Sequence, residues 1–211
     1  GALDSPVLQA VMAHMSPGFL RVGGISSDQV HWVGDGTTQL NLHGGVEENP
    51  LNATTFDRLI EFTRRANVSL IFDLNELWSA NNSSSFHRME GQAWNASGTI
   101  ALLQHAKATG AVYPEGPLVA VELGNELAGG SGWTGNERTI GADYGQLRSH
   151  MKDIFGASAK YPLLYGPSAC TCGSANNSLP MFLEEAEAKG AQQGKEAKRL
   201  IIRKPNGWAT L

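Results

Sequence analysis

Short apolar segments alternate with helical patterns along most of this chain, and this alternation restricts the fold more than any other feature. Four segments are predominantly apolar, which predicts buried strands: Phe19–Val22, Val68–Leu74, Leu118–Leu123 and Pro162–Tyr165. Their centres lie roughly 43–50 residues apart, which leaves room for a full crossover between successive strands. The alternation predicts an α/β fold with a parallel sheet, either doubly wound or closed as a (β/α)8 barrel.

The segments between the strands carry helix signals. Ser5 and Pro6 provide a cap residue and a first-turn proline near the start of the chain. Asp57–Asn67 has apolar residues at helical spacing. Two later amphipathic stripes each end at a glycine, Gly110 and Gly156, as helices often do.

Composition excludes two classes of partner. The chain has 211 residues, of which 41% are hydrophobic, and a formal net charge of -4. This length is enough for one sizeable core. Nucleic acid is not expected as the main partner, because that would require a concentrated basic face. No transmembrane segment is expected either, since no apolar run approaches the roughly 20 residues that cross a bilayer.

The last part of the chain differs from the rest. Residues 1–189 are predicted to form one α/β domain, and residues 190–211 a divergent basic tail. Gln192–Arg199 is polar and basic. Leu200–Ile202 is long enough for one short strand, and nothing after it is expected to provide a partner.

The third apolar strand ends in a candidate catalytic pair, Asn125 and Glu126. The carboxyl ends of parallel strands are where an α/β barrel keeps its reactive groups. A glutamate there is suited to protonating a glycosidic oxygen while the neighbouring amide holds a sugar hydroxyl. The same two residues also fit an ordinary solvated loop, so the pair alone leaves both interpretations open.

Polar residues and glycines follow the other strand ends. Gly23 and Gly24, after the first strand, allow a sharp turn or a close approach to a ligand. Arg21 precedes them and is placed to pair with carboxylates inside a barrel, and Asp28 follows a few residues later. Asn75 follows the second strand at the level of Asn125, where an amide can bind sugar hydroxyls. Simple turns are the alternative explanation.

No cofactor and no metal ion are expected. Gly130–Gly135 matches the dinucleotide pattern in form, but it trails the strand and lacks an acidic residue at the next strand end. The histidines show no metal-ligand spacing, and Cys170 and Cys172 alone do not make a zinc site. Three tryptophans are available to stack on a sugar ring: Trp32, Trp78 and Trp133.

Three of these motifs together resemble one known family. Leu20–Gly24, Leu74–Leu77 and Glu122–Leu127, in this order and spacing, are similar to heparanases and plant heparanase-like proteins of glycoside hydrolase family 79. The resemblance covers about residues 5–189 and implies a (β/α)8 barrel followed by a β-sandwich domain. On this basis the four strands are strands two to five of a partial barrel, without the later strands and the sandwich.

The resemblance also implies roles for individual residues. Glu126 takes the position of the acid/base of a retaining β-glucuronidase, and Asn125 that of its neighbouring amide. The family's nucleophile is a glutamate on strand seven, so the nucleophile of this chain is unknown. The chain is expected to be truncated and to have no glycosidase activity by itself. The other residues expected to bind substrate are Asn75, Gly23, Gly24 and Asp28.

The expected partner is a carbohydrate that contains glucuronic acid. His43–Asn52, which is basic in animal heparanases, carries Glu47 and Glu48 and no Lys or Arg. This favours a weakly sulfated glycan or a small glucuronide over heparan sulfate. Two alternatives remain: a non-catalytic truncated product that binds sugar weakly, and another retaining barrel enzyme such as an arabinofuranosidase.

Asparagine sequons indicate the compartment. Six Asn-x-Ser/Thr sites predict a glycoprotein of the secretory pathway, either extracellular or in the lysosome or vacuole. The match at Asn67, beside a buried strand, is interpreted as chance. The six sites are Asn52, Asn67, Asn81, Asn82, Asn95 and Asn176.

Overall fold

The structure is a computed structural model that describes residues 1–35, 49–77, 88, 92–128, 137–169, 185–186, 201–204 and 207–210. Several sequence-based predictions concern residues outside these ranges. They are the stacking roles of Trp78 and Trp133, the thiols of Cys170 and Cys172, the sequons at Asn81, Asn82 and Asn176, and the acidic pair Glu47 and Glu48.

The described elements alternate as the sequence predicts. The helices are α1 (Pro6–His14), α2 (Ala53–Ala66), α3 (Ser97–Ala108) and α4 (Glu137–Phe155), with short 3-10 helices at Ala2–Asp4 and Ile25–Gln29. The strands are β1 (Phe19–Val22), β2 (Val30–Gly34), β3 (Asn49–Asn52), β4 (Ser69–Leu74), β5 (Leu118–Leu123), β6 (Asn125–Ala128), β7 (Leu163–Leu164), β8 (Ser168–Ala169), β9 (Ile201–Lys204) and β10 (Gly207–Thr210).

One parallel sheet organises the domain. Its strands lie in the order β1, β4, β5, β7, and each neighbouring pair is parallel. These are the four strands predicted from the apolar segments, so the prediction of an α/β fold with a parallel sheet is confirmed. Closure into a barrel stays a prediction.

The helices cover one face of this sheet. Phe72 of β4 and Leu123 of β5 belong to the same buried cluster as Phe56 of α2, Leu103 of α3 and Leu147 of α4. Burying each such side chain stabilises the fold by about 1.5–3 kcal/mol. The first turn of α2 is fixed by Asn52, whose side chain accepts a hydrogen bond from the Thr55 backbone N–H.

The opposite face of the sheet changes character along the strands. Ile71 and Ala120 form a small apolar cluster on it. Nearer the carboxyl ends the same face carries Arg21, Asp73 and Glu122, and Asp73 and Glu122 are direct partners in the β4–β5 register. A residue at every second position of a strand shares one face, so the charged group lies directly above the apolar cluster.

The tail contains more structure than the sequence predicts. The expectation that the strand near Leu200–Ile202 has no partner is wrong, because β9 and β10 pair in an antiparallel hairpin. The two strands are separated in the sequence by Pro205 and Asn206, two residue types that are common in turns. Among the described helices, none is both long and apolar enough to cross a membrane.

Candidate functional site

The candidate residues lie where neighbouring strands end. β1 leads into Gly23, β4 into Asn75 and β5 into Gly124, and the three strands are parallel neighbours. The Gly124 backbone N–H donates to the Leu74 carbonyl at 2.9 Å, which continues the sheet pairing past the end of the strands. The turns that carry the candidate side chains therefore share one edge of the sheet.

Arg21 connects these strand ends. Its Nε donates to Glu122 Oε2 at 2.5 Å, and its Nη2 lies 3.4 Å from Asp73 Oδ2. The predicted pairing of Arg21 with carboxylates is confirmed by these contacts. The same Nη2 is 3.2 Å from Asn125 Oδ1 and 3.4 Å from Ser168 Oγ. Nη2 carries two hydrogens, so these three acceptors share them while Nε donates to Glu122.

The contact with Arg21 orients the Asn125 amide. A guanidinium can only donate, so the atom of Asn125 that faces Arg21 must be Oδ1. The Nδ2 group is then the part of the amide left to donate elsewhere. Asn125 is 7% exposed, so its side chain is held in a nearly buried position. This arrangement offers a fixed donor to the oxygen of a sugar hydroxyl.

Glu126 stands in an unusual backbone conformation. Its φ is 55°, in the left-handed region, and its side chain is exposed. Asn67, the other non-glycine residue with positive φ in the described ranges, ends α2, where this conformation is common. Glu126 ends no helix. Such strain costs about 1–3 kcal/mol and tends to occur at functional sites, which supports Glu126 as a reactive group.

Asp28 links the ends of β4 and β5 through hydrogen bonds to their backbone. The residue is 4% exposed, its Oδ2 accepts from the Asn125 backbone N–H at 3.0 Å, and its Oδ1 faces the Glu76 backbone N–H at 3.4 Å. Burial raises the pKa of Asp28 to about 6, against the opposing effect of these two amides. Both oxygens are engaged within the protein here, and substrate binding by Asp28 stays a prediction.

Asp73 and Ser27 form a second buried connection. The Ser27 hydroxyl lies 2.6 Å from Asp73 Oδ2 and 2.7 Å from the Gly24 carbonyl oxygen. The hydroxyl donates to the Asp73 oxygen, and its single proton is shared between these two acceptors. Burial raises the pKa of Asp73 to about 7, against the opposing effect of the Ser27 hydrogen bond. The nearer carboxylate contact of Arg21 is the one with Glu122.

Gly23 and Gly24 shape this region through their lack of a side chain. A Cβ on Gly23 would lie 2.8 Å from the Asp73 Cβ and 2.9 Å from the Arg21 guanidinium carbon. Only glycine therefore lets Arg21 and Asp73 approach the turn. Gly24 has φ 109°, which other residues rarely adopt. Direct contact of either glycine with substrate stays a prediction.

Asn75 is already engaged in the protein. Its Nδ2 donates to the Val30 carbonyl at 2.8 Å, and its Oδ1 accepts from the Leu77 backbone N–H at 2.7 Å. One amide hydrogen and one lone pair remain for a ligand, and the predicted substrate contact stays untested.

Trp32, one of the tryptophans considered for stacking on a sugar ring, packs inside the protein. Its ring centroid lies 6.1 Å from that of Phe56 and 5.1 Å from that of His105.

Sequence reasoning missed a buried ion pair behind the site. Arg88 and Asp143 form two contacts while both are nearly inaccessible to solvent. Asp143 lies on the apolar face of α4, between Ile140 and Leu147 in the helical stripe. A charged residue in such a stripe is the signal that could have identified it, because buried charges are almost always paired.

The described carboxyl groups at this edge have separate environments. Glu122 pairs with Arg21, Asp73 contacts Ser27, and Asp28 accepts from backbone amides, whereas Glu126 is exposed. In the described ranges, no group of three His, Cys, Asp or Glu side chains could hold a metal ion. An exposed carboxyl beside an oriented amide can donate a proton to a bound sugar oxygen and hold an adjacent hydroxyl.

Comparison with known proteins is consistent with this chemistry. The family model described as Glycosyl hydrolase family 79, N-terminal domain, matches residues 2–176. A hyaluronoglucuronidase of Hirudo nipponia is 24% identical over 179 residues, an alignment that covers 77% of this chain and 34% of that protein. The chain thus spans about a third of the length of this curated relative.

Proposed function

The chain belongs to glycosyl hydrolase family 79, and from this premise we propose that it carries the acid/base side of a retaining β-glucuronidase site. The proposed substrates are glycans or small glucuronides that contain glucuronic acid. The observation that carries the proposal is the turn at the end of β5. There an exposed Glu126 with φ 55° follows Asn125, whose amide is oriented by Arg21.

Each residue of this turn has a defined part in the reaction. Glu126 protonates the glycosidic oxygen as the bond breaks and later removes a proton from the attacking water. The Asn125 Nδ2 group donates to a hydroxyl of the sugar at the cleavage point. Retention of configuration requires a second carboxylate about 5–5.5 Å from the first, which attacks the anomeric carbon.

We assign this nucleophile to none of the carboxyls described at the strand ends. Asp28, Asp73 and Glu122 are held by protein groups, and Glu76 is completely buried. A carboxylate engaged in this way cannot reach an anomeric carbon without losing its partners. None of these described carboxyls is therefore expected to support turnover as the nucleophile.

The choice of glucuronide is supported by two observations. The name of the Hirudo nipponia relative assigns glucuronidase activity to that protein. In this chain the segment from His43 to Asn52 has two glutamates and no Lys or Arg, which disfavours a highly sulfated substrate. An arabinofuranosidase is the alternative enzyme, and a weak carbohydrate-binding fragment is the non-catalytic alternative.

Hydrolysis of a fluorogenic β-glucuronide tests the proposal, with a fluorogenic α-arabinofuranoside as the competing substrate. We expect the longest natural form of the protein to cleave the glucuronide only, with the first product in the β configuration by proton NMR. The 211-residue chain should cleave neither. Cleavage of the arabinofuranoside alone, or an inverted first product, would contradict the proposed activity.

We also propose a secreted or lysosomal (in plants, vacuolar) glycoprotein. The side-chain oxygens of Asn52 and Asn95 accept from the Thr55 and Ser97 backbone amides, which leaves each Nδ2 available to carry a glycan. The Asn67 Nδ2 instead donates to Ser16 Oγ at 2.7 Å.

Expression in a secretory host should therefore add a glycan at Asn52. The variant Thr54→Ala should lose this glycan and keep the helix cap, whereas Asn52→Gln removes both the glycan and the native cap. Intact mass before and after enzymatic removal of N-glycans measures the difference. If enzymatic removal of N-glycans lowers the mass of Thr54→Ala by as much as that of the unmodified protein, Asn52 is not modified.

A further inference from the structure

Glu76 is a completely buried carboxyl residue just beyond the end of β4. Its side chain is among the largest that are fully enclosed, with 0% exposure. No described N–H or hydroxyl donor reaches its carboxyl oxygens, and the hydrogen bond between Glu76 and the Asp143 carboxyl needs a proton on one of the two acids. Enclosing a carboxyl that depends on a shared proton is costly, so its presence calls for a role that a smaller apolar side chain would not fill.

The Glu76 side chain packs directly on the turn that presents the proposed acid/base. A Cβ placed on Gly124 would lie 2.5 Å from Glu76 Oε2 and 3.0 Å from the Glu76 Cβ. Gly124 has φ 71°, and Glu126, two residues later, has φ 55°. The Glu76 carboxyl therefore lies against the first residue of a turn in which two of three residues have positive φ.

The backbone of Glu76 is linked to the same turn. Its N–H faces Asp28 Oδ1, and the other oxygen of that carboxylate accepts from the Asn125 backbone N–H. Side-chain packing on Gly124 and this shared carboxylate thus fix the turn from two directions. A strained conformation persists only where its surroundings determine it in this way.

The surroundings of Glu76 favour its uncharged form. Burial raises its pKa well above the ordinary value, and the charge of Asp143 on α4, the hydrogen bond with Asp143 and the charge of Asp28 on the 3-10 helix raise it further. Arg88 acts in the opposite direction, but it is paired with Asp143. The protonated form of Glu76, which these surroundings favour, places no negative charge against the Gly124–Glu126 turn.

We propose that Glu76 is a positioning residue for Glu126, and that its side chain holds the Gly124–Glu126 turn in the conformation that presents the proton donor. The inference rests on the proposed function of Glu126. Glu76 contacts no reacting atom and acts through the backbone of Gly124 and Asn125. A misplacement of about 1 Å at a reacting group can cost about 100-fold in rate, so support of this kind has a measurable effect.

Two substitutions distinguish the effect of the shape of the Glu76 side chain from the effect of its charge. Glu76→Ala removes the packing on Gly124, and we expect kcat for a β-glucuronide to fall at least 10-fold with KM changed less than 3-fold. Glu76→Gln keeps the shape without a charge, so it should restore most of the lost rate. It should also remove any alkaline decline in the pH profile that ionisation of Glu76 causes. Glu61→Ala, on the exposed face of α2, is the matched control.

The test is made in the longest natural form of the protein. An unchanged kcat in Glu76→Ala, or an equal loss in Glu76→Gln and Glu76→Ala, would overturn the inference. Full activity of Glu126→Gln would instead overturn the proposed function.

A spectroscopic measurement keeps the inference testable if Glu76→Ala does not fold. Carboxyl carbons of glutamate, labelled with carbon-13, shift on ionisation, and the signal absent from Glu76→Gln belongs to Glu76. We expect that signal to remain in the protonated position at pH 7. A Glu76 signal that titrates with the exposed glutamates would show that the residue is not held as described.

Discussion

Glu126→Gln is expected to slow cleavage of a glucuronide glycan by about 10²–10⁴-fold, because an amide of the same shape cannot donate a proton to the leaving oxygen. The first step on an aryl glucuronide with a stable leaving group should slow much less, since that group departs without protonation. The values of kcat/KM for the two substrates, which report the first step, measure the difference. Circular dichroism should show an unchanged fold, because Glu126 is exposed.

Glu115→Gln is the matched control for this substitution. Glu115 is also exposed, and it precedes β5 at the opposite end of the strand. We expect its rates to match those of the unmodified protein on both substrates. An equal loss for Glu126→Gln on both substrates would argue against proton donation, and no loss on either would exclude Glu126 from the reaction.

Stability is expected to fall as the pH rises from about 4 to about 7. The pKa of Asp28 is raised by burial to about 6 and that of Asp73 to about 7, against an ordinary value of 3.8. In this window the folded protein binds more protons than the unfolded chain, so each increase in pH favours unfolding. Each unit by which folding raises a pKa corresponds to about 1.4 kcal/mol. The free energy of unfolding should therefore drop by roughly a few kcal/mol across this pH range.

Asp73→Asn should flatten part of this dependence. The asparagine side-chain oxygen can accept from the Ser27 hydroxyl as the carboxylate oxygen does, and the amide does not ionise. Urea unfolding at pH 4.5, 6 and 7.5 measures the effect, with Asp153→Asn on the exposed side of α4 as the control. If Asp73→Asn and the unmodified protein lose stability in parallel, Asp73 is already ionised at pH 4.5.

The strands and the position of the candidate pair could be predicted from the sequence for a simple reason. A buried parallel strand is apolar along most of its length, and such a run is visible in Leu118–Leu123 without knowledge of its neighbours. Residues just past it, such as Asn125 and Glu126, are then placed at the sheet edge by the architecture itself. The local signal and the local structure coincide here.

The buried residues around the candidate site could not be predicted from the sequence in the same way. Arg88 and Asp143 meet across 55 positions of sequence, and neither has a local pattern that identifies the other. Glu76 follows a strand as Asn75 does, and only the three-dimensional packing shows that it is enclosed. Asn75 illustrates the reverse, because its amide is used by Val30 and Leu77, which no composition or spacing indicates.

The place of Arg21 has a consequence for local unfolding. β1 is the first strand in the order of the described sheet and pairs there with β4 alone. Sheet edges with few neighbours open at a lower free energy than the centre of a domain. Because Arg21 lies on β1 and orients the Asn125 amide, fraying of this one edge strand would release the amide while the core stays folded. The proposed substrate contact of Asn125 is thus no more durable than the pairing of this edge strand with β4.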